Sequence, residues 1–130
     1  MEALTLYFDR CIGKKVPEAL SKITSPFQVK WHQGEGFHQA MEADKWLHIV
    51  GEKKWVVISH DAKWHREATA AEAIKQHNLR CFYLAGASSM MFFKLRSLTQ
   101  NWDKISGTIK AKKGPFIFRL TNGNKMIQVL

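Results

Sequence analysis

Short apolar runs alternate along this chain with stretches of helical periodicity. The clearest run covers residues 55–61, WVVISHD, and carries no charge until the aspartate that closes it. Such a run is typical of a strand buried on both faces of a parallel sheet. A similar run at residues 3–8, ALTLYF, ends at Asp9, and another, LRCFYLAG, covers residues 79–86. We predict a buried strand at each of the three.

Helical spacing of apolar residues fills the segments between these strands. It predicts helices over residues 14–23, after the Gly-rich loop 34–41, from about Ala68, and over residues 88–113. Residues 26–32 alternate between apolar and polar positions, which predicts a further strand nearer the sheet edge. Two β runs around Asn122 and Gly123 carry a strong hairpin signal. The inward face of the long last helix is predicted to carry Phe92, Leu95, Leu98, Trp102 and Ile105.

The order β-α-β-α-β-α-β-α, followed by a hairpin, predicts the fold class. It indicates an α/β protein, a three-layer α/β/α sandwich with a mainly parallel sheet and a C-terminal β-hairpin. The length of 130 residues suits a single domain, residues 1–130. Right-handed crossovers place the carboxyl ends of the first and third strands at one edge, where ligands bind in such sheets. Asp9 and Asp61 are therefore expected to lie close together.

The positive charge is concentrated in the last two fifths of the chain. The net charge is +9, and residues 80–130 hold nine Lys and Arg against the single acid Asp103. This asymmetry favours a polyanionic partner. A solvated basic face with no specific role stays open as the alternative.

The remaining composition indicates a cytoplasmic protein. No apolar run approaches the ~20 residues that span a bilayer. The opening MEALTLYFDR lacks a basic region ahead of an apolar segment, so we expect no secretory signal. The two cysteines, Cys11 and Cys81, lie on predicted core elements without a CxxC partner and are expected to be reduced and buried.

Aspartates at the strand ends suggest a metal site. Converging carboxylates repel one another, so a fold keeps them together chiefly when a divalent cation compensates their charge. Oxygen ligands favour Mg²⁺ or Mn²⁺, and the six histidines show no zinc-binding spacing. His60 and His65 flank Asp61, where a packing or surface role competes with proton transfer.

Asp44 lies at the start of the helix that leads into the third strand. We expect that helix start at the opposite edge of the sheet, unless the loop 34–41 carries it over the site. A favourable interaction with the helix dipole also explains Asp44 and Glu42 without any metal.

An acidic pocket in a strongly basic protein is the combination expected of a nuclease. The metal activates water and neutralises charge on the phosphate, while lysine and arginine hold the nucleic-acid backbone. Trp31, Phe37 and Trp64 are candidates for stacking on unpaired bases, with packing as the competing explanation.

Three segments give the chain a family resemblance. LYFDRCIGKKVPEAL, DKWLHIVGEKKWVVISHD and the basic segment and helix that follow resemble the PIN-like domains of VapC-type ribonuclease toxins, over roughly residues 4–86 and more weakly through GPFIFRL. The resemblance implies a PIN-like fold and an endoribonuclease that depends on Mg²⁺ or Mn²⁺ and cleaves RNA. It also implies a toxin neutralised by a cognate antitoxin protein.

The resemblance assigns roles to individual residues. It matches Asp9, Asp44 and Asp61 to the family's metal-binding acids and Arg10 to a basic residue beside the first acid. Lys14, Lys15 and Lys63 are further candidates for RNA binding. Ala70 occupies a position where many members carry a glutamate. The candidates for a substitute fourth acid are Glu42, Glu67 and Glu72.

Other interpretations of the sequence remain open. The protein is alternatively a catalytically degenerate PIN-like module that binds RNA or an antitoxin, as the departure at Ala70 favours. A phospho-acceptor receiver domain requires an acidic pair after the first strand and a lysine after a fifth parallel strand, whereas Arg10 follows Asp9. A phosphatase of the DxD type is disfavoured because Cys11 stands two residues after Asp9. The oligomeric state is open, with edge pairing through the hairpin as one route to a dimer.

Overall fold

The computed structural model describes most of the chain. It covers residues 4–9, 12, 14–22, 26–36, 43–59, 68–84, 91–120 and 125–130, without the side chains of residues 43, 44, 68–70, 91 and 94. The elements are β1 (Thr5–Phe8), α1 (Lys15–Ser21), β2 (Gln28–Trp31), α2 (Ala43–Glu52), β3 (Val56–Ser59), α3 (Ala68–Gln76), β4 (Arg80–Tyr83), α4 (Met91–Gln100), α5 (Trp102–Ala111), β5 (Phe116–Leu120) and β6 (Met126–Gln128).

The strands form one mixed, mainly parallel sheet in the order β2-β1-β3-β4-β5-β6. Strands β1 to β5 are parallel, with β2 at one edge as its alternating sequence predicts. β5 and β6 pair antiparallel, which confirms the C-terminal hairpin. Because β5 also pairs parallel to β4, the hairpin extends the main sheet. The chain thus has the fifth parallel strand of a receiver domain, but the residue after it is Thr121 and not lysine.

Helices cover both faces of the sheet, which confirms the three layers. On one face, Leu6, Phe8 and Val56 belong to a core that includes residues of α1, α4 and α5. On the other, Tyr7 and Val57 pack with residues of α2 and α3. Adjacent strand residues point to opposite faces, so a strand buried on both sides needs an unbroken apolar run. β3 is buried at every position, which explains its sequence.

Helices α2 and α3 end in the same way. Lys54 and Asn78 adopt left-handed backbone conformations, with φ of 58° and 55°. The next residue in each case returns a hydrogen bond to the helix, from Trp55 N to Val50 O and from Leu79 N to Ile74 O. This is the pattern of a Schellman motif, in which the left-handed residue is usually glycine and sometimes asparagine. Lys54 is an unfavourable choice at such a position.

The predicted long helix over residues 88–113 is wrong in one respect. It is divided at Asn101, which precedes α5 with φ of −98° and ψ of 7°. The Asn101 side-chain amide donates to Ser97 O over 2.8 Å, a bond of the kind that makes asparagine a poor residue inside a helix. The predicted inward position of Phe92 is also wrong, because its side chain is 64% exposed. Leu98 and Ile105 are buried as expected.

Two further expectations concern location and redox state. Within the described ranges, no helix combines the length and apolar character needed to cross a bilayer. Cys81 is a free thiol that is fully buried on β4, as predicted. Cys11 lies outside the described residues.

Candidate active site at the carboxyl edge of the sheet

The strand order creates a crevice between the carboxyl ends of β1 and β3. From β1 the chain crosses to β2 on one side, and the later strands β3, β4 and β5 follow on the other. This order, 2-1-3-4-5, is one of the two common doubly wound arrangements, and its ligands bind where the order reverses. Asp9 directly follows β1 at that point. The fold therefore supports the choice of the carboxyl edge as the candidate site.

Four polar residues form a row along this edge. Phe8 pairs with both Trp31 and Ile58, so the next residues, His32, Asp9 and Ser59, stand at the same level on β2, β1 and β3. Ser59 pairs in turn with Tyr83 on β4. Since side chains alternate along a strand, all four belong to the face that α2 and α3 cover. All four residues are also buried.

Asp9 is the centre of this row. Its side chain is 3% exposed, and Oδ2 accepts a hydrogen bond of 3.2 Å from the hydroxyl of Ser59. The backbone is fixed as well, because Asp9 N donates to Ile58 O over 2.9 Å and Ile12 N donates to Asp9 O over 3.0 Å. These bonds tie the start of the β1–α1 connection to β3. The carboxylate is therefore held in one place at the crevice.

The negative charge of Asp9 also affects the pKa of Cys81 on β4. Burial raises the pKa of the Cys81 thiol above its ordinary value, and repulsion from the Asp9 carboxylate raises it further. Cys81 is therefore a neutral thiol at physiological pH and a poor nucleophile. It contributes apolar packing and no thiolate to the region behind the site.

His32 is a site residue that the sequence analysis missed. It is fully buried, and its Nδ1 lies 2.7 Å from the hydroxyl of Tyr7. The rings of Tyr7 and His32 both pack against Trp46 of α2, with centroid separations of 5.5 and 6.0 Å. A single histidine leaves no periodic signal. Its place directly after β2, like that of Asp9 after β1, is the signal that could have identified it.

These contacts also locate the start of α2. Trp46 lies in the first turn of this helix, and it packs beside His32 at the carboxyl edge. The opposite edge, expected for this helix start unless the loop 34–41 carried it over the site, is wrong, because a helix that connects parallel strands runs back from the carboxyl edge to the amino edge. Asp44, the second residue of α2, therefore stands at the edge of the sheet where Asp9 lies. The structure does not describe its side chain.

The other predicted site residues divide into two groups. Lys14, Lys15 and Glu72 are exposed, with Lys14 and Lys15 at the start of α1, a few residues beyond Asp9. The remaining candidates lie outside the described residues: Arg10, Glu42, Asp61, Lys63 and Glu67. Among the described side chains, no three His, Cys, Asp or Glu residues form a group that could hold a metal ion. Of the three predicted metal-binding acids, Asp9 has a described side chain.

The aromatic candidates also separate. Trp31 lies in β2 and packs, partly buried, against the core on the α1 face, which agrees with the packing explanation. Phe37 and Trp64, like His60 and His65, lie outside the described residues. In their place the structure exposes Phe92 and Phe93 on α4, at 64% and 48%, with ring centroids 5.8 Å apart. Helical periodicity predicted Phe92 in the core and did not predict this exposed pair.

The fold and the site together define a class of protein, a doubly wound α/β domain with a buried acid at the point where the strand order reverses. Within that class the chain belongs to the family of PIN-like domains, whose family model matches residues 4–86. The match covers all the acids and bases proposed for the site. PIN-like domains have a nuclease-type fold and are typically nucleases. No curated protein and no solved structure matches the chain.

Proposed function

We propose that the protein is a metal-dependent endoribonuclease that cleaves RNA phosphodiester bonds, and that it acts as the toxin of a VapC-type toxin–antitoxin pair. One observation carries the nuclease proposal. Asp9, a carboxylate in a PIN-like domain, is held buried at the crevice between β1 and β3. A buried carboxylate is costly unless hydrogen bonds or a cation compensate for the lost water.

The proposed cofactor is Mg²⁺ or Mn²⁺, held by Asp9, Asp44 and Asp61. The chemistry of the described donors fits such an ion, since Asp9 supplies carboxylate oxygen and its neighbour Ser59 supplies a hydroxyl. Hard oxygen ligands suit these metals better than zinc. When bound, the cation lowers the pKa of a water molecule and offsets the negative charge of the phosphate.

The residues of the chain have separate tasks in this proposal. Ser59 and the backbone bond to Ile58 orient the Asp9 carboxylate, so that no reorganisation is needed when substrate binds. Lys14 and Lys15 are exposed at the start of α1, beyond Asp9, where they can hold the RNA backbone with Arg10 and Lys63. The core formed by Tyr7, His32 and Trp46 supports the start of α2 from beneath.

A fourth acid would complete the charge of the site. Glu72 is exposed on α3, a helix that starts after the carboxyl end of β3. Glu42 precedes α2 and Glu67 precedes α3. We propose that one of these three replaces the glutamate whose position Ala70 occupies. The partner proposed for the toxin is a partly acidic antitoxin, and the proposed location is the cytoplasm.

The experiment is an RNA cleavage assay with Mg²⁺, with Mn²⁺ and with EDTA. Asp9→Asn and Asp61→Asn are compared with Asp103→Asn, which removes an exposed acid from the first turn of α5. We expect metal-dependent cutting that both site variants lose and the control keeps. Full activity in either site variant would contradict the proposed metal site. RNA binding without cutting under any metal would instead support the degenerate binding module that Ala70 suggests.

A further inference from the structure

A cationic groove lies at the opposite edge of the sheet from Asp9. Its walls come from three turns, which precede β3, β4 and β5, and it encloses about 530 Å³. Five Lys and Arg residues line it: Lys54, Arg80, Lys110, Lys112 and Lys113. Among the residues that the structure describes, no Asp or Glu lines it. Three of these cations come from the segment 110–113, within the part of the chain that carries most of the net charge.

The charge of this groove is not neutralised within the described part of the chain. None of its five cations forms an ion pair with a described carboxylate, and the ion pair found nearby joins His48 to Glu52 at 3.1 Å. Like charges brought together from three turns repel one another and oppose folding. A groove that gathers them is therefore suited to an anionic ligand.

Two of the cations are built into the groove wall. Arg80 is half-buried, and its guanidinium donates to Lys54 O over 2.9 Å. Burial lowers the pKa of Arg80, although a guanidinium stays charged at physiological pH. Lys54 holds its left-handed position at the end of α2, where glycine or asparagine would fit with less strain. The backbone thus fixes both residues around the groove.

The walls approach each other closely. A Cβ added at Gly51 would lie 2.8 Å from His77 Cβ, and one added at Gly114 would lie 2.7 Å from Asn78 O. Both glycines are therefore needed for the turns to pack against one another. Lys112 is also oriented, because its Nζ lies 3.2 Å from Gln128 Oε1 and 5.4 Å from the centre of the Phe118 ring. Lys110 and Lys113 are exposed.

We propose that this groove binds the phosphodiester backbone of RNA, at a second contact surface distant from the carboxyl edge. A narrow groove lined by cations suits a chain of phosphates, whereas a protein partner normally requires a broader surface with an apolar centre. The choice of RNA over another phosphate ligand rests on the proposed nuclease function. The groove would then hold a long substrate in place while the carboxyl edge acts on it.

The test measures binding of a labelled single-stranded RNA to the full chain in EDTA, by fluorescence anisotropy at several salt concentrations. Lys110→Glu/Lys113→Glu is compared with Lys22→Glu/Lys104→Glu, which makes the same charge change at exposed lysines outside the groove. We expect the groove variant to bind at least about tenfold more weakly than the control, with a shallower salt dependence. Equal binding by the two variants would overturn the proposal.

Competitors identify the occupant. RNA binding should withstand inorganic triphosphate and polyglutamate at micromolar concentrations. Displacement by triphosphate at these concentrations would indicate that the groove binds a small phosphorylated ligand. Displacement by polyglutamate would indicate that it binds an acidic protein. Either result would overturn the proposal.

A cleavage assay separates this inference from the proposed function. If the wild-type protein cuts no RNA but the groove variant binds RNA more weakly than the control, the nuclease proposal fails and the proposal of an RNA-binding groove stands. If the wild-type protein cuts RNA while the groove and control variants bind RNA equally well, the groove proposal fails and the nuclease proposal stands.

Discussion

The hydroxyl of Ser59 donates a hydrogen bond of 3.2 Å to the carboxylate of Asp9, from the strand that neighbours β1 in the sheet. Fifty positions separate the two residues in the chain, and parallel pairing of β1 and β3 brings them together. Both are buried, so water cannot readily replace the bond. The orientation of the candidate metal ligand therefore depends on an adjacent strand.

Ser59→Ala should weaken both folding and cleavage. Loss of a hydrogen bond to a buried charged group costs about 1–3 kcal/mol of unfolding free energy. Urea unfolding measures that loss, and cleavage at saturating Mg²⁺ should fall because Asp9 is less well oriented. Ser21→Ala is the control, since the Ser21 hydroxyl bonds an exposed helix carbonyl and is distant from the site. Unchanged cleavage by Ser59→Ala would count against a positioning role for Ser59.

Asp44→Asn should abolish metal-dependent cleavage with little effect on stability. Asp103→Asn is a close match, because both residues stand in the first turn of a helix, where an acid is favourable to the helix dipole. Each substitution should therefore cost at most about 1 kcal/mol of unfolding free energy. Only Asp44→Asn should lower cleavage in Mg²⁺ and Mn²⁺. A fully active Asp44→Asn variant would indicate that an acid stands at this position because of the helix dipole and not because it binds a metal.

Lys54→Gly should stabilise the fold and weaken RNA binding. Glycine adopts the left-handed conformation without the steric cost of a Cβ, a gain of up to about 1 kcal/mol. The substitution also removes one cation from the groove while keeping the carbonyl that Arg80 contacts. Asn78→Gly is the matched control, because it occupies the same position after α3 and carries no charge. Thermal unfolding should show a more stable fold for Lys54→Gly, while RNA anisotropy should show weaker binding. Asn78→Gly should not show this combination.

Stability should fall at alkaline pH through Cys81. Burial and the Asp9 charge raise the pKa of Cys81 above its ordinary value of 9.0. The folded protein therefore retains this proton after the unfolded chain has released it. Below pH 9 both states are protonated and the effect is absent. Above that pH the unfolding free energy should fall by up to about 1.4 kcal/mol per pH unit from this thiol.

Two measurements check the behaviour of Cys81. Urea unfolding between pH 7 and pH 10 should show a weaker alkaline decline for Cys81→Ala than for the wild type. Mass spectrometry after iodoacetamide treatment should find Cys81 unmodified in the folded protein and alkylated in urea. Rapid alkylation of Cys81 under native conditions would falsify its description as a buried neutral thiol.

Much of the fold follows from local patterns because burial in a parallel sheet demands them. The apolar run ending at Ser59 predicted β3, since both faces of that strand are covered. The hairpin signal predicted the pairing of β5 with β6, but a turn carries no information about which earlier strand the hairpin joins. The helix break at Asn101 was hidden because apolar spacing from Leu98 to Ile105 continues across it.

The candidate site was predictable in part. Asp9 was identified because a carboxylate after a buried strand stands out in sequence. The row from His32 to Tyr83 depends on strand register, which no single segment encodes. The observed edge for Asp44 differs from the expected one, although the direction of a connecting helix follows from the parallel strands it joins. The cationic groove needs three turns from distant segments, so only the folded chain brings its lysines together.

The antiparallel direction of β6 determines where the chain leaves the sheet. Val129 N donates to Ile117 O over 2.9 Å, so the final residues run toward the start of β5, and Gln128 contacts Lys112 of the groove. A purification tag fused after Leu130 would therefore emerge beside the groove and away from Asp9. An acidic tag there would compete with RNA for the lysines while leaving the carboxyl edge open. Affinity measurements consequently require the tag to be removed, whereas cleavage of short oligonucleotides should tolerate it.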